Sequence, residues 1–121
     1  MTRERSKAKT IGIWVLALLV AGMFSAAGLS KLLNPEGHIE SFAGWGYPSW
    51  FMYLTGLFEV GGGFLVLIPK ARFYGVLLLS VTMVGASLTH LMAGEFAAVP
   101  IPLVFLALVS GLGCLGREMS N

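Results

Sequence analysis

The stretch LFEVGGGFLVLIP, residues 57–69, places one carboxylate, Glu59, and three successive glycines inside an otherwise apolar run. Extended back to Trp50, the run reaches the ~20 residues that carry a helix across a bilayer. Three further runs have the same character, and the four spans read as residues 11–33, 50–69, 73–92 and 99–116. Hydrophobic residues make up 56% of the 121-residue chain and charged residues 12%. A soluble domain carries about a quarter charged residues, and one this small cannot hide so much apolar surface from water. Inside lipid the backbone must satisfy its own hydrogen bonds, so the runs are helices. The fold class is all-α: an integral membrane four-helix bundle.

Basic residues orient the spans. Arg3, Arg5, Lys7 and Lys9 precede the first, Lys70 and Arg72 separate the second from the third, and Arg117 follows the fourth. The other side receives Lys31 with Glu36, Glu40 and Glu95. The expected organisation is a basic cytoplasmic N-terminus (1–10), one bundle (11–116) with an outer loop (34–49), and a cytoplasmic tail (117–121), in a bacterial inner membrane. A cleaved signal peptide ending near Ser25-Ala26-Ala27 is the rival reading of the first span. The apolar run continues to Leu33, however, which is long for a signal core of 7–15 residues. The basic N-terminus also suits anionic lipid, with nucleic acid not among the expected partners.

Asn34-Pro35-Glu36-Gly37 breaks the first helix. His38–Trp45 then reads as a short amphipathic helix with Ile39, Phe42 and Trp45 on one face. Phe42, Trp45, Tyr47, Trp50, Phe51 and Tyr53 crowd the outer boundary, as an aromatic belt or as a lid over a site between the helices. Ala27–Leu33 is similar to Ala86–Met92, with Glu36 and Glu95 following at the same distance, so the chain reads as two parallel two-helix repeats.

Residues three and four apart share a helical face, so Glu59 shares one with Gly56, Gly62 and Gly63. Glycines mark close packing of membrane helices, which turns Glu59 toward the interior. It stands about nine residues from Trp50, roughly 13 Å of helix rise, near the midplane. A charge there costs at least ~2.5–3.5 kcal/mol, so a partner is expected: Lys31 or His90, each near the outer end of its own span and each beside small residues. Ser30 and Thr89 add hydroxyls. The candidate catalytic residues are therefore Glu59, His90 and Lys31, and the candidate ligand-binding residues are Ser30, Thr89, Phe42, Trp45 and Tyr47.

These residues resemble a known pattern. Ala27-Gly28-x-x-Lys31-Leu32 closes the first span, Phe42 and Gly46-x-Pro48 follow in the loop, and Gly56-x-x-Glu59-x-x-Gly62-Gly63 lies in the second span. Pro69-x-x-Arg72 forms the inner turn and Gly85-Ala86-x-x-Thr89-His90 ends the third span. Together they are similar to the DoxX and DoxX-like family of small four-helix membrane proteins, over roughly Ala27 to His90. The resemblance implies a membrane location and partnership with redox enzymes, such as thiosulfate:quinone oxidoreduction or complexes handling thiols and oxidative stress; distant relatives act as assembly chaperones. It supplies no catalytic residues.

Two functional classes follow. In the first the chain is a redox-linked subunit binding a quinone or similar lipophilic ligand, with Lys31 or His90 hydrogen-bonding a carbonyl and Glu59 exchanging a proton. Two histidines and the lone Cys114 are too few for a haem or zinc site, Cys-x-x-Cys is missing, and no Gly-rich nucleotide fingerprint is present. Quinone apart, no cofactor is evident, and electrons would come from a membrane or peripheral oxidoreductase partner. The chain would then be at most a subunit of an oxidoreductase complex. In the second class it is a non-enzymatic scaffold, an assembly chaperone or, ranked last, a small transporter. The pairs Ala17/Ala21 and Ala107/Gly111 are small-xxx-small surfaces for homo-oligomerisation or partner docking.

Overall fold

The computed structural model describes the backbone of residues 2–120 and the side chains of residues 6–116. Arg3, Arg5 and the tail 117–121 lie outside the described side chains. Five α-helices run in order: α1 (Thr2–Leu33), α2 (Pro35–Gly44), α3 (Ser49–Leu67), α4 (Arg72–Met92) and α5 (Pro100–Ser120), with a 3-10 turn at Phe96–Ala98 before α5. Among the described residues, four helical segments are long and apolar enough to span a membrane: Ser6–Leu33, Ser49–Leu67, Arg72–Met92 and Phe96–Gly116. The shortest has 19 residues, about 28 Å of rise against a hydrocarbon core of ~30 Å.

Each boundary has a local cause. Helix α1 continues through the basic segment, where no glycine or proline stands to stop it and Thr10 Oγ1 donates back to the Ser6 carbonyl at 2.8 Å. Helix α2 starts at Pro35, three residues before the expected His38, because proline at the first helical position loses no hydrogen bond. Helix α3 ends at Leu67, two residues before the expected end. Ile68 precedes Pro69, which disfavours helical geometry, and it is extended at φ −100°, ψ 109°.

The spans form a ring in which α1 packs on α3 and α5, and α4 packs on the same two; α2 lies across one end against α1 and α3. That end, with Lys31, His90 and the loop aromatics, is here the cap end; the other, with Lys70 and Arg72, is the basic end. Phe24, Met52, Leu79, Leu112, Val20, Val66 and Val109 are fully buried, and Phe24 meets Phe105 edge-on at 5.5 Å. Large apolar residues such as Leu18, Phe64 and Val81 face outward, as lipid allows.

Glycine sets how closely helices approach. A Cβ on Gly28 would stand 2.6 Å from the Gly56 carbonyl oxygen, and one on Gly62 would stand 2.6 Å from the Leu79 side chain. The α1/α3 seam is therefore backbone on backbone at Gly28 and Gly56. Ala17 and Ala21 are buried in this core at 0% and 6% exposure. That corrects their reading as a docking surface: they are consumed by packing within the bundle. Ala107 is exposed and Gly111 half-buried.

Gly28→Ala should lower stability by about 1–3 kcal/mol, since a backbone carbonyl cannot give way as a flexible side chain does. Gly22→Ala, on the same helix with nothing within 4 Å of its Cβ, should be neutral or mildly stabilising. Thermal unfolding of both variants in one detergent checks the contrast.

Candidate functional site

Glu59 is the single buried polar or charged side chain among the described residues, at 4% exposure. Its partner is Lys31: Nζ stands 2.7 Å from Oε1, and the two side chains are 15% and 5% exposed. The approach is an ion pair by distance, yet Oε1 meets no donor at good hydrogen-bond angles. The pairing arises because Gly28 and Gly56, each one turn from a charged residue, let α1 and α3 touch; a Cβ on Gly56 would lie 3.2 Å from Lys31 Cβ. Lys31 bends inward instead of reaching for the membrane surface.

The pair lies in the wall of a cavity of ≈540 Å³ in the cap-end half of the bundle, to which all four spans and the α2–α3 loop contribute. Phe42, Trp45 and Tyr47 from the loop region, Phe51 and Phe58 from α3, and Ile101 and Phe105 from α5 make it mainly apolar. Thr55, Thr82, Thr89 and His90 supply its other polar groups.

Two matching helix ends close the cap. After α2, Gly46 takes φ 90°, Gly46 N–H donates to Ala43 O at 3.0 Å and Tyr47 N–H to Phe42 O at 2.9 Å. After α4, Gly94 takes φ 76°, Gly94 N–H donates to Leu91 O at 3.2 Å and Glu95 N–H to His90 O at 2.9 Å. Both are Schellman motifs, which need a left-handed residue just past the helix and fold the next residue back over the last turn. One returns Tyr47 over Phe42, their rings 6.0 Å apart. The other returns Glu95 over His90.

Side chains then join the two ends. Glu95 Oε1 accepts from Trp45 Nε1 at 2.9 Å and lies 2.8 Å from His90 Nδ1, whose ring meets Trp45 edge-on at 5.3 Å. Thr89 Oγ1 donates to the Gly85 carbonyl, so it accepts from Tyr47 Oη at 2.8 Å. The His90 contact first, and the Trp45 N–H second, hold the Glu95 pKa below its ordinary value. On the outside of the cap His38 Nε2 and Ser30 Oγ are 2.9 Å apart, fastening α2 to α1. Burial and, second, the Lys31 charge hold the His38 pKa below 6.5, so its ring is neutral at pH 7.

Of the eight residues singled out from sequence, Glu59, Lys31, His90, Thr89, Phe42, Trp45 and Tyr47 line the cavity; Ser30 does not. Its hydroxyl is turned to His38, which corrects its reading as a ligand contact. Lys31 takes Glu59, and His90 takes Glu95 instead. Glu95 was missed as a site residue, although Gly94 directly after the helix was a signal that it would fold back. No three of His, Cys, Asp and Glu gather as metal ligands among the described residues, and Cys114 is a free, exposed thiol.

The profile described as the DoxX-like family matches residues 15–112. This chain belongs to the DoxX-like family. The match runs beyond Ala27–His90 and takes in α5 as far as Leu112. Among curated proteins, one from Bacillus subtilis (strain 168), named "Putative oxidoreductase CatD", is 35% identical over 92 residues, covering 75% of this chain and 68% of that protein. No solved structure matches. Family membership and four spans together make this DoxX-like chain an integral membrane protein.

The Glu95 latch gives a pH prediction. Because its pKa is depressed in the fold, the latch contributes fully above the ordinary carboxylate value near 4.5 and is lost as pH falls through the lower folded value. With Trp14 and Trp50 replaced by Phe, Trp45 emission should shift to the red across that acid range. Glu95→Ala, which removes the acceptor of the Trp45 N–H, should show the shifted emission already at neutral pH, with the acid transition gone.

Proposed function

We propose that this DoxX-like protein is a redox-linked membrane subunit that holds a quinone, or a lipophilic ligand of the same build, between its spans near the cap end. The observation that carries the reading is the Lys31–Glu59 pair set in the wall of a mainly apolar cavity of ≈540 Å³. That size falls within the ~300–1,000 Å³ of small-molecule sites, which are largely apolar with a few converging polar groups. A ligand with a flat ring and carbonyl oxygens fits those terms. Lys31 offers an N–H to a carbonyl oxygen, and Glu59 Oε1, without a well-angled donor, can take or return a proton.

Reduction of a quinone to its quinol takes up two electrons and two protons. The chain's own residues can position protons, while the electrons come from an oxidoreductase partner. The name of the Bacillus subtilis relative supports an oxidoreductase setting. By the positive-inside rule the basic end faces the cytoplasm and the cap end faces outward from a bacterial inner membrane.

Protein purified in mild detergent should retain membrane quinone detectable by mass spectrometry. Glu59→Gln and His90→Ala should each lower retention by about tenfold, the equivalent of 1.4 kcal/mol. Undiminished retention in both variants contradicts the site. An empty bundle that co-purifies with a client membrane protein favours the scaffold or chaperone function instead.

A further inference from the structure

The cavity is not sealed toward the bilayer on the side where α3 and α4 meet. At the basic end these helices are in tight contact: a Cβ on Gly62 would stand 2.6 Å from Leu79, and one on Gly75 would stand 2.9 Å from the Gly62 carbonyl. The same helical faces continue toward the cap end, because residues three, four and seven apart lie on one side. From Gly62 the α3 face runs to Phe58 and Thr55, and from Gly75 the α4 face runs to Thr82 and Thr89. There the helices no longer fill the seam. A Cβ on Gly85 meets nothing within 4 Å. Phe58 at 39% and Val81 at 69% exposure nonetheless line the cavity. Residues that border both the cavity and the outer surface mark its mouth.

That mouth faces hydrocarbon. Glu59, at its inner end, stands ten residues into α3, about 15 Å from the cap end by helix rise, half of a ~30 Å hydrocarbon core. The Tyr47–Thr89 hydrogen bond bridges the seam on the cap side, between the mouth and the membrane surface. The hydroxyls within the mouth have no hydrogen to spare: Thr55 donates to the Phe51 carbonyl at 2.9 Å and Thr82 to the Leu78 carbonyl at 2.8 Å. A slot of this kind suits an apolar chain and offers little to a polar group.

We propose that the gap between α3 and α4 is a lateral portal open to the lipid, and that the cavity's occupant is an amphiphile whose polar head sits by Lys31 and Glu59 while its isoprenoid or acyl chain leaves through this slot, with Gly85 as the threshold. The proposal rests on the reading of the cavity as a site for a lipophilic ligand. It narrows the ligand class to long-tailed lipids and excludes a water-soluble molecule arriving from the cap.

The probe is phosphatidylcholine with a diazirine at mid-chain, incorporated into vesicles holding the full-length protein, with labelled residues mapped by mass spectrometry. In the unaltered protein Thr55 and Thr82, inside the slot, should be labelled alongside the outward-facing Leu57 and Leu103. Gly85→Phe, whose Cβ meets no neighbour and whose ring would lie in the slot, should lower labelling of Thr55 and Thr82 by about tenfold and leave Leu57 and Leu103 unchanged. Val84→Phe places the same ring on α4 away from the seam and should change neither pair. Labelling confined to Leu57 and Leu103 in the unaltered protein, or slot labelling that survives Gly85→Phe, overturns the portal. The probe carries no quinone, so loss of the quinone reading with slot labelling intact would retire the ligand and leave the portal standing.

Discussion

An ammonium and a carboxylate 2.7 Å apart inside four apolar spans constrain everything near them. Glu59 could not stand alone at this depth, where an unpaired charge costs several kcal/mol, and Lys31 gives up the reach to the surface that its place near the end of α1 would allow. Their pairing requires α1 and α3 to approach more closely than ordinary side chains permit, and the Gly28–Gly56 contact meets that requirement one turn away. The glycines and the charges are thus one device. The glycines bring the backbones together, and the pair removes the penalty that its members would otherwise impose on the span. A buried pair is not in itself a source of stability, since apolar residues of the same volume often do as well. Its presence in a cavity wall therefore calls for a use, and positioning a hydrogen-bonding ligand beside a proton carrier supplies one.

The bundle is built unequally along its length. Toward the basic end Gly62 and Leu79 interlock and Val66, Leu79 and Leu112 fill the core, with Phe24 and Val109 buried nearer mid-span. At the cap end α1 and α3 stay in contact at Gly28 and Gly56, while aromatic side chains rim a space beside them. What keeps that end from collapsing or splaying is a set of side-chain hydrogen bonds: two between elements far apart in sequence, Trp45 to Glu95 and Tyr47 to Thr89, and one between consecutive helices, Ser30 with His38. Two glycines with positive φ make the first two possible by folding Tyr47 and Glu95 back over the helices that they follow. Phe42, Trp45 and Tyr47 thus line the cavity with defined attachments, whereas Trp50 and Tyr53 face outward, and the proposed portal at the α3/α4 seam opens sideways.

Much of this was legible in the sequence because hydrocarbon is a demanding solvent. Four long apolar runs could only be helices, and the glycines around Glu59 gave its direction. The choice between Lys31 and His90 as its partner was not legible: both sit beside small residues at the same end of the bundle, and only the packing of α1 against α3 decides it. Ser30 was misread for a related reason, since the hydroxyl one residue before Lys31 points to a neighbouring side and meets His38. Ala17 and Ala21 show the ambiguity of small-residue pairs, which look alike whether they bind a second chain or a helix of the same chain. A site between the helices was an expectation of the sequence, but its opening could not be read, because empty space follows from helix divergence and leaves no letter in the sequence except, in hindsight, Gly85.

The central claim is that Lys31 and Glu59 are one coupled unit within the bundle. A double-mutant cycle in mild detergent, with Lys31→Met and Glu59→Leu made singly and together, tests it most directly. Each single substitution leaves an unpartnered charge and should destabilise by about 3–5 kcal/mol, while the double variant should recover most of that loss. Single effects that simply add, within about 0.5 kcal/mol, would show that the two side chains do not meet and would contradict the account.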